Sequence, residues 1–350
     1  MPATPVRLHT RWPLAVVIGV VGSLVVGLVV LAFLWPTKTS AAHDLPVGIV
    51  GPAAAVTALE DALAENAPDT FDFVEADDRA EAVAQIEQRH TYGAIVLSAT
   101  PATAPEVLTA PAGSAAATQI LTQVGAQLQA QFAQQAAAAG VAPVAITVTP
   151  VVPLSTDDPS GTGLTAASFP LTLGGMIGGI LISLIVVGAL RRLAALAGFA
   201  VSVGLVLTLV LQNWFHFIQG DFWINAVAMG LSILATSAFI VGCTSLLGRA
   251  GIAVGAVLTM FVGNPLSGAA APWQFIPAPW GGIGQFLVPG AANWLIRTLS
   301  YFPNADAGQQ WWTLSAWVVL GLLLTVAGHF RSRASMRVPA ATLEEQVPAV

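Results

Sequence analysis

The residues of this chain whose types could do chemistry are few, and their spacing does not suit it. His43 and His90 stand alone, with no HExxH pair and no second ligand at metal spacing. Glu75, Asp77, Asp78 and Glu81 lack the central glycine of a calcium loop and read as acids at the positive end of a helix dipole. Ser160 sits in PSGTG rather than GxSxG, so a nucleophile elbow fails. GIVG followed by Pro52 misses the GxGxxG spacing of a dinucleotide turn. The only lysine, Lys38, does not follow a glycine, so the chain has no P-loop; ATP hydrolysis, if used, belongs to another polypeptide. The only cysteine, Cys243, excludes an intrachain disulfide. We expect no catalytic residue, no metal site and no cofactor.

The elements that carry these residues explain the poverty. Of 350 residues, 55% are hydrophobic and 9% charged, with mean hydropathy +0.76; soluble domains carry about 25% charged residues. No charge falls between Arg11 and Lys38, Asp158 and Arg191, Arg192 and Asp221, Asp221 and Arg249, or Asp306 and Arg331. Each gap accommodates the roughly 20 apolar residues that cross a hydrocarbon core of about 30 Å. The expected fold class is a membrane α-helical protein of six transmembrane spans, near 13–35, 168–190, 194–214, 224–247, 250–268 and 311–330, embedded in a lipid bilayer. A cytosolic enzyme is excluded, and a net charge of −6 leaves no basic footprint for nucleic acid.

Charge placement orients the spans. With the N-terminus inside, eight of the twelve basic residues fall inside and only Glu344 and Glu345 of the eighteen acids do. The positive-inside bias then puts both termini in the cytoplasm. Trp12 and Trp35 bracket the first span, Trp214 and Trp223 the outer turn of spans three and four, and Trp311 and Trp312 open the sixth, as in an aromatic interface belt. The first span is read as uncleaved: the uncharged stretch 12–37 runs well beyond the about 7–15 residues of a signal-peptide core. The division is therefore a cytoplasmic arm and first span (1–35), an extracytoplasmic α/β domain (36–167), a five-span membrane domain (168–330) and a cytoplasmic tail (331–350).

The region from Pro36 to Ser168 holds fourteen acids and three bases. LPVGIV (45–50), FDFVEA (71–76), TYGAIVLS (91–98) and AITVTPVV (145–152) read as strands, alternating with helices. One helix opens at a capping box of Asp78 and Glu81 and buries Val83 and Ile86. A long helix from Ser114 to Gly140 carries Leu121, Val124, Leu128 and Phe132 on one face. Its glutamines 119, 123, 127, 131, 134 and 135 make an uncharged surface, open to a partner or simply solvated. This order implies a small α/β domain with a partly parallel sheet.

The expected spans hold no Asp, Glu, Lys or Arg, which argues against a proton-coupled antiporter. They offer small residues instead: Gly174, Gly175, Gly178 and Gly179 in span two, Gly251 and Gly255 in span five, and Gly19, Ser23 and Gly27 in span one. Such positions let helices approach closely, either at a subunit interface or gate or in ordinary intramolecular packing. The proline- and tryptophan-rich segment 264–310 is read as a re-entrant or interfacial element, because irregular backbone of that hydrophobicity must be covered by protein or water. Its piece 291–302 should lay Leu295, Leu299 and Phe302 on one face and turn Arg297 toward the headgroups.

Three stretches carry a family resemblance: VGIVGP with EAVAQIEQRHTYGAIVLSAT, the glycine-rich FPLTLGGMIGGIL, and NPLSGAAAPWQFIP followed by LVPGAANWLIRTLSYF. With one span, a large outer α/β domain and then five spans, the chain resembles the permease class of type-2 ABC exporters, in the branch overlapping the phage-infection-protein (YhgE/Pip) family. The resemblance implies re-entrant helices capping a translocation path, with Asn264, Pro265, Gly268, Pro277, Pro289 and Arg297 shaping an outer gate. It also implies a homo- or heterodimer in a bacterial plasma membrane, and Arg191, Arg192 and Arg249 as contacts for a separate ABC ATPase subunit. The loop between spans two and three, near 191–194, is shorter than the coupling helix usual in that class. The other reading is a YhgE/Pip-like envelope receptor or scaffold without transport. Arginine over lysine and abundant alanine fit a GC-rich bacterial genome.

Overall fold

The uncharged stretch after Arg11 folds as one helix, Trp12–Thr39 (α1), in a computed structural model that describes residues 12–98, 104–139 and 145–335. Its apolar side chains point outward all round, Leu24, Val26 and Leu28 among them. It meets the remaining helices where Phe33 lies edge-on to Phe169 and Phe261.

A five-stranded sheet follows. Leu45–Val50 (β1) leads through helix Ala53–Asn66 (α2) to Phe71–Glu75 (β2), then through Arg79–Glu87 (α3) to Gly93–Val96 (β3). Glu106–Thr109 (β4), helix Ala115–Ala139 (α4) and Thr147–Pro150 (β5) complete it. The order is β2-β1-β3-β4-β5, with β1 parallel to β2 and β3, β4 antiparallel to β3, and β5 parallel to β4. Four strands lie where the hydrophobic runs put them; β4 was not expected. Alternation assigns the faces. Leu45, Val47, Ile49, Ile95 and Val107 meet α2 and α4 on one side, while Val50, Ala94 and Leu108 meet Ala82 and Ile86 of α3 on the other.

The helix ends follow local chemistry. Asp78 Oδ1 accepts from the Glu81 N–H at 2.8 Å, as a cap should. Glu81 Oε2 accepts from Asp77 N rather than Asp78 N, so the reciprocal bond of the expected box is displaced by one residue. On α4, Leu121, Val124 and Leu128 are buried, but Phe132 is exposed, against expectation. The helix is about 37 Å long by its rise, and four-residue strands span only about 13 Å. It outruns the sheet it covers.

The remaining helices are Thr162–Ile185 (α5), Ala189–Thr208 (α6) with a π-turn at Leu209–Trp214, Phe222–Leu247 (α7), Arg249–Ala256 (α8) with a π-turn at Val257–Val262, Trp280–Gln285 (α9), Val288–Tyr301 (α10) and Gly308–Ser335 (α11). Asp158 ties the sheet to this bundle by accepting from the N–H groups of Gly163 and Leu164 at 3.1 and 3.0 Å. Helix α7 is the axis, packed by α5, α6, α8, α10 and α11. Backbones approach it at glycines: Gly175 on Thr236, Gly179 on Ser237, Gly255 on Ile240 and Gly321 on Ala238.

Among the described residues, five helices are long and apolar enough to cross a bilayer: Trp12–Pro36, Thr162–Ile185, Ala189–Trp214, Phe222–Leu247 and Gly308–Arg331. This is the pattern of a membrane-embedded helical protein. The span expected at 250–268 is instead the shorter apolar helix Arg249–Val262. At about 1.5 Å per residue it reaches roughly 21 Å, less than a hydrocarbon core.

Candidate functional site

The irregular segment after Val262 is shaped by its turn residues. Ser267 bonds back to Asn264 O through both N and Oγ, closing a turn, and Gly268 follows at φ +67. Thr172 Oγ1 reaches Asn264 Oδ1 at 3.5 Å, and Asn293 Nδ2 reaches Gly268 O at 3.5 Å. Pro277 O accepts from Trp280 N at 3.0 Å, opening α9. Gly281 and Gly284 bring α9 against the carbonyls of Trp273 and Leu266, where no Cβ fits. Pro265 is half-buried beside this turn, and Pro289 is buried in the first turn of α10, packed on Gly263. Leu266, Ser267, Phe275 and Ile276 of the segment are buried under protein, whereas Trp280, Ile283 and Phe286 stay exposed.

Helix α10 is the piece this segment positions, and here the structure corrects the expectation. The helix is buried on nearly every side rather than lying in an interface. Val288, Ala291 and Leu295 pack with Ala228, Ala235 and Leu314 of the bundle. Arg297 does not turn toward headgroups: it is 6% exposed and donates from Nη1 to the carbonyl of Ala112, in the sheet domain, at 2.8 Å. Phe302 likewise packs against Leu108, Ala110 and Val152 instead of sharing a lipid-facing stripe with Leu295.

Arg89 comes from the opposite direction. It sits at φ +61 in the turn between α3 and β3. Its guanidinium lies 3.5 Å from the Trp294 ring centroid and 5.0 Å from that of Phe302. Its Nη1 donates to Thr298 Oγ1 at 2.6 Å and to Trp294 O at 3.1 Å. Burial lowers its pKa to about 9, helped by the charge of Arg297, so it stays protonated at neutral pH. Nearby, Tyr92 donates its hydroxyl to Gln274 Oε1 at 3.3 Å, and burial raises its pKa. Asn304 Nδ2 donates to Glu87 Oε2 at 3.0 Å, and Tyr301 donates to Phe217 O at 2.7 Å. Arg89 was counted from the sequence only as an outside base. A partner 205 positions away leaves no local signal.

Cavities lie on both sides of α10. Toward the bundle, one of about 30 Å³ is lined by Ser168, Thr172, Ser232, Thr236 and Asn293 among apolar neighbours. Toward the sheet, another of about 30 Å³ is lined by Arg89, Tyr92, Ser114, Thr165, Asn293 and Arg297. Asn293 faces both. An open cleft of about 550 Å³ adjoins the second, sharing Arg89, Trp273, Gln285 and Trp294 with it.

The other sequence candidates are placed elsewhere. Arg192 spends its guanidinium within the chain, donating to Ser183 O, Val186 O and Ser245 Oγ at 2.8–3.0 Å. It caps the end of α5 and is half-buried there. Arg191 and Arg249 are exposed at the same end of the bundle. Gly175, Gly178 and Gly179 face Thr236, Phe199 and Ser237, Gly251 faces Cys243, and Gly255 faces Ile240. Gly174 has more room, beside Ile233. Each of these except Gly174 therefore has a neighbour within the chain close enough to crowd a Cβ. Among the described residues no three His, Cys, Asp or Glu side chains cluster at metal-binding distance. Compared with protein-family models, with curated proteins and with solved structures, the chain matches none.

Proposed function

We propose that this chain is the membrane permease subunit of an ABC-type exporter, a homo- or heterodimer served by a separate ATPase, with the sheet domain outside a bacterial plasma membrane and both termini in the cytoplasm. That orientation needs six crossings, with helix Arg249–Val262 and the irregular backbone after it making up the fifth. Arg191, Arg192, Arg249 and Arg331 lie at the bundle end away from the sheet, which favours that end as cytoplasmic. The observation that carries the reading is helix α10, whose Asn293 faces a cavity on each side. A small shift of α10 relative to the sheet domain would join the two spaces, and Arg89 and Arg297 couple it to that domain.

A thiol placed at Asn293 in a Cys243→Ser background tests this. It should be slow to label from outside at rest, and label faster when a copurifying ATPase is supplied with ATP. Replacing Arg191 and Arg249 by Gln should weaken ATPase copurification by about 1–3 kcal/mol. If no ATPase copurifies in several mild detergents and labelling never changes, the exporter reading fails. The second reading, a YhgE/Pip-like envelope receptor or scaffold without transport, would then stand. It is favoured by the close packing around α7, whose membrane-crossing stretch is 83% buried.

A further inference from the structure

Arg89 and Arg297 face one cavity, and among the described residues neither forms an ion pair. Among the described residues no carboxylate oxygen comes within 4.0 Å of either guanidinium; the ion pairs found there are His43 with Asp44 and Arg79 with Glu106. Among the described residues, Arg297, 6% exposed, makes one hydrogen bond, from Nη1, and no acceptor there meets Nε or Nη2. Among the same residues Arg89 likewise uses only Nη1. The rings of Trp294 and Phe302 offset part of its charge. Asp158 contributes to the field at Arg297, but its two carboxylate oxygens accept from Gly163 and Leu164 N–H groups. Water in the cavity would take up donors without cancelling charge. Buried charges are otherwise paired, because an isolated one forfeits its hydration.

We propose that this space is an anion-binding site, in which a carboxylate or phosphate group of a small ligand lies between Arg89 and Arg297 and supplies the missing charge. The cavity, about 30 Å³, admits the anionic tip and not a whole molecule. The rest of the ligand occupies the adjoining cleft of about 550 Å³, where Trp273, Phe286, Gln274 and Gln285 offer aromatic surface and amides and Asp306 adds a carboxylate. That volume falls within the roughly 300–1,000 Å³ usual for small-molecule sites. The proposal goes beyond the exporter reading and does not depend on it, since a receptor would use the same site.

The full chain in nanodiscs of uncharged lipid provides the test. Ionic strength is held with a bulky sulfonate buffer while inorganic phosphate, acetate or chloride is added and the unfolding midpoint is followed. Phosphate or acetate should raise the midpoint saturably in the wild type. The better of the two identifies the group. The apparent affinity should fall at least tenfold in Arg89→Gln and in Arg297→Gln, and stay unchanged in Arg79→Gln, whose guanidinium pairs with Glu106 at the surface. Should Arg297→Gln not fold, Arg297→Lys keeps the charge without the planar fork and should retain a weaker saturable response. A wild type without saturation, or Arg89→Gln and Arg297→Gln variants that respond as the wild type does, overturns the proposal. Chloride binding as tightly as phosphate and acetate overturns it too, because any solution anion would then serve.

Discussion

In the sheet domain and in the helical bundle, exposure falls on different residue types. Across the sheet, the large apolar side chains are the buried ones: Leu45, Ile49, Ile95, Leu108 and Leu121 are all fully covered. Along the bundle, many large apolar side chains point outward, as Leu184, Ile185, Val201 and Val227 do, while Ser232, Thr236 and Ser237 of α7 are buried. The reason is the solvent each region expects. Water expels apolar surface, so leucine marks the inside of the sheet domain. A bilayer does not, so apolar side chains also face outward there, and close van der Waals contact decides the inside of the bundle, where Ser232, Thr236 and Ser237 are buried beside Ile233 and Ile240. Helix α1 is the limiting case, with exposed apolar side chains from Leu14 through Leu31.

Truncating one large residue in each region gives the widest contrast. Leu108→Ala, at a fully covered site, should cost about 2–5 kcal/mol by lost burial and the cavity left behind. Leu184→Ala, 60% exposed on α5, should stay within about 0.5 kcal/mol. Thermal unfolding of the two variants in the same detergent measures both. Equal losses would mean that the outward face of α5 is covered by another chain.

The reverse experiment adds volume. Gly230 of α7 meets the Ala200 carbonyl of α6, where a Cβ would come to 2.8 Å. Gly230→Val should therefore destabilise by about 1–3 kcal/mol through overpacking. Val227→Ala, one turn away and outward-facing, should be nearly silent. If Gly230→Val unfolds like the wild type, the two helices are not held at that crossing, and the rule drawn for the bundle breaks.

The same contrast explains what the sequence made legible. Period-two and period-3.6 patterns placed β1, β2, β3, β5 and the helices between them, because in a water-facing domain pattern and burial coincide. The strand β4 escaped because EVLT is four residues long and its register depends on β3 and β5 rather than on its own pattern. Charge gaps located the long helices of the bundle but not their inner faces. Arg297 was misread for a physical reason: a lone arginine in an apolar helix usually snorkels to headgroups. Here the carbonyl of Ala112, 185 positions earlier, receives it instead. Nothing in the sequence hinted that Ser183 and Ser245 would accept from Arg192. Tertiary partners of arginine were the least legible feature of the candidate site.

The smallest expected effect belongs to a charge pair in the region where water competes. Arg79 donates from Nε and Nη2 to the two carboxylate oxygens of Glu106 at 2.7 and 3.0 Å, joining α3 to β4. The Arg79 hydrogen bond holds the Glu106 pKa below its usual 4.5; partial burial opposes the shift, while the Thr149 hydroxyl and the charge of Arg79 assist it. A carboxyl with a lowered folded pKa contributes stability above its unfolded value, and that contribution is lost as pH falls through the folded one. Arg79, raised by the same contact, stays charged throughout that range. With Arg79 half-exposed, solvent screening limits the pair to about 0.2–1 kcal/mol. Glu106→Gln keeps an acceptor for Thr149, so it should cost only that amount at pH 7 and about nothing once pH falls well below the folded pKa of Glu106. A penalty that survives at low pH would show that the residue acts through the geometry of the sheet edge rather than through its charge.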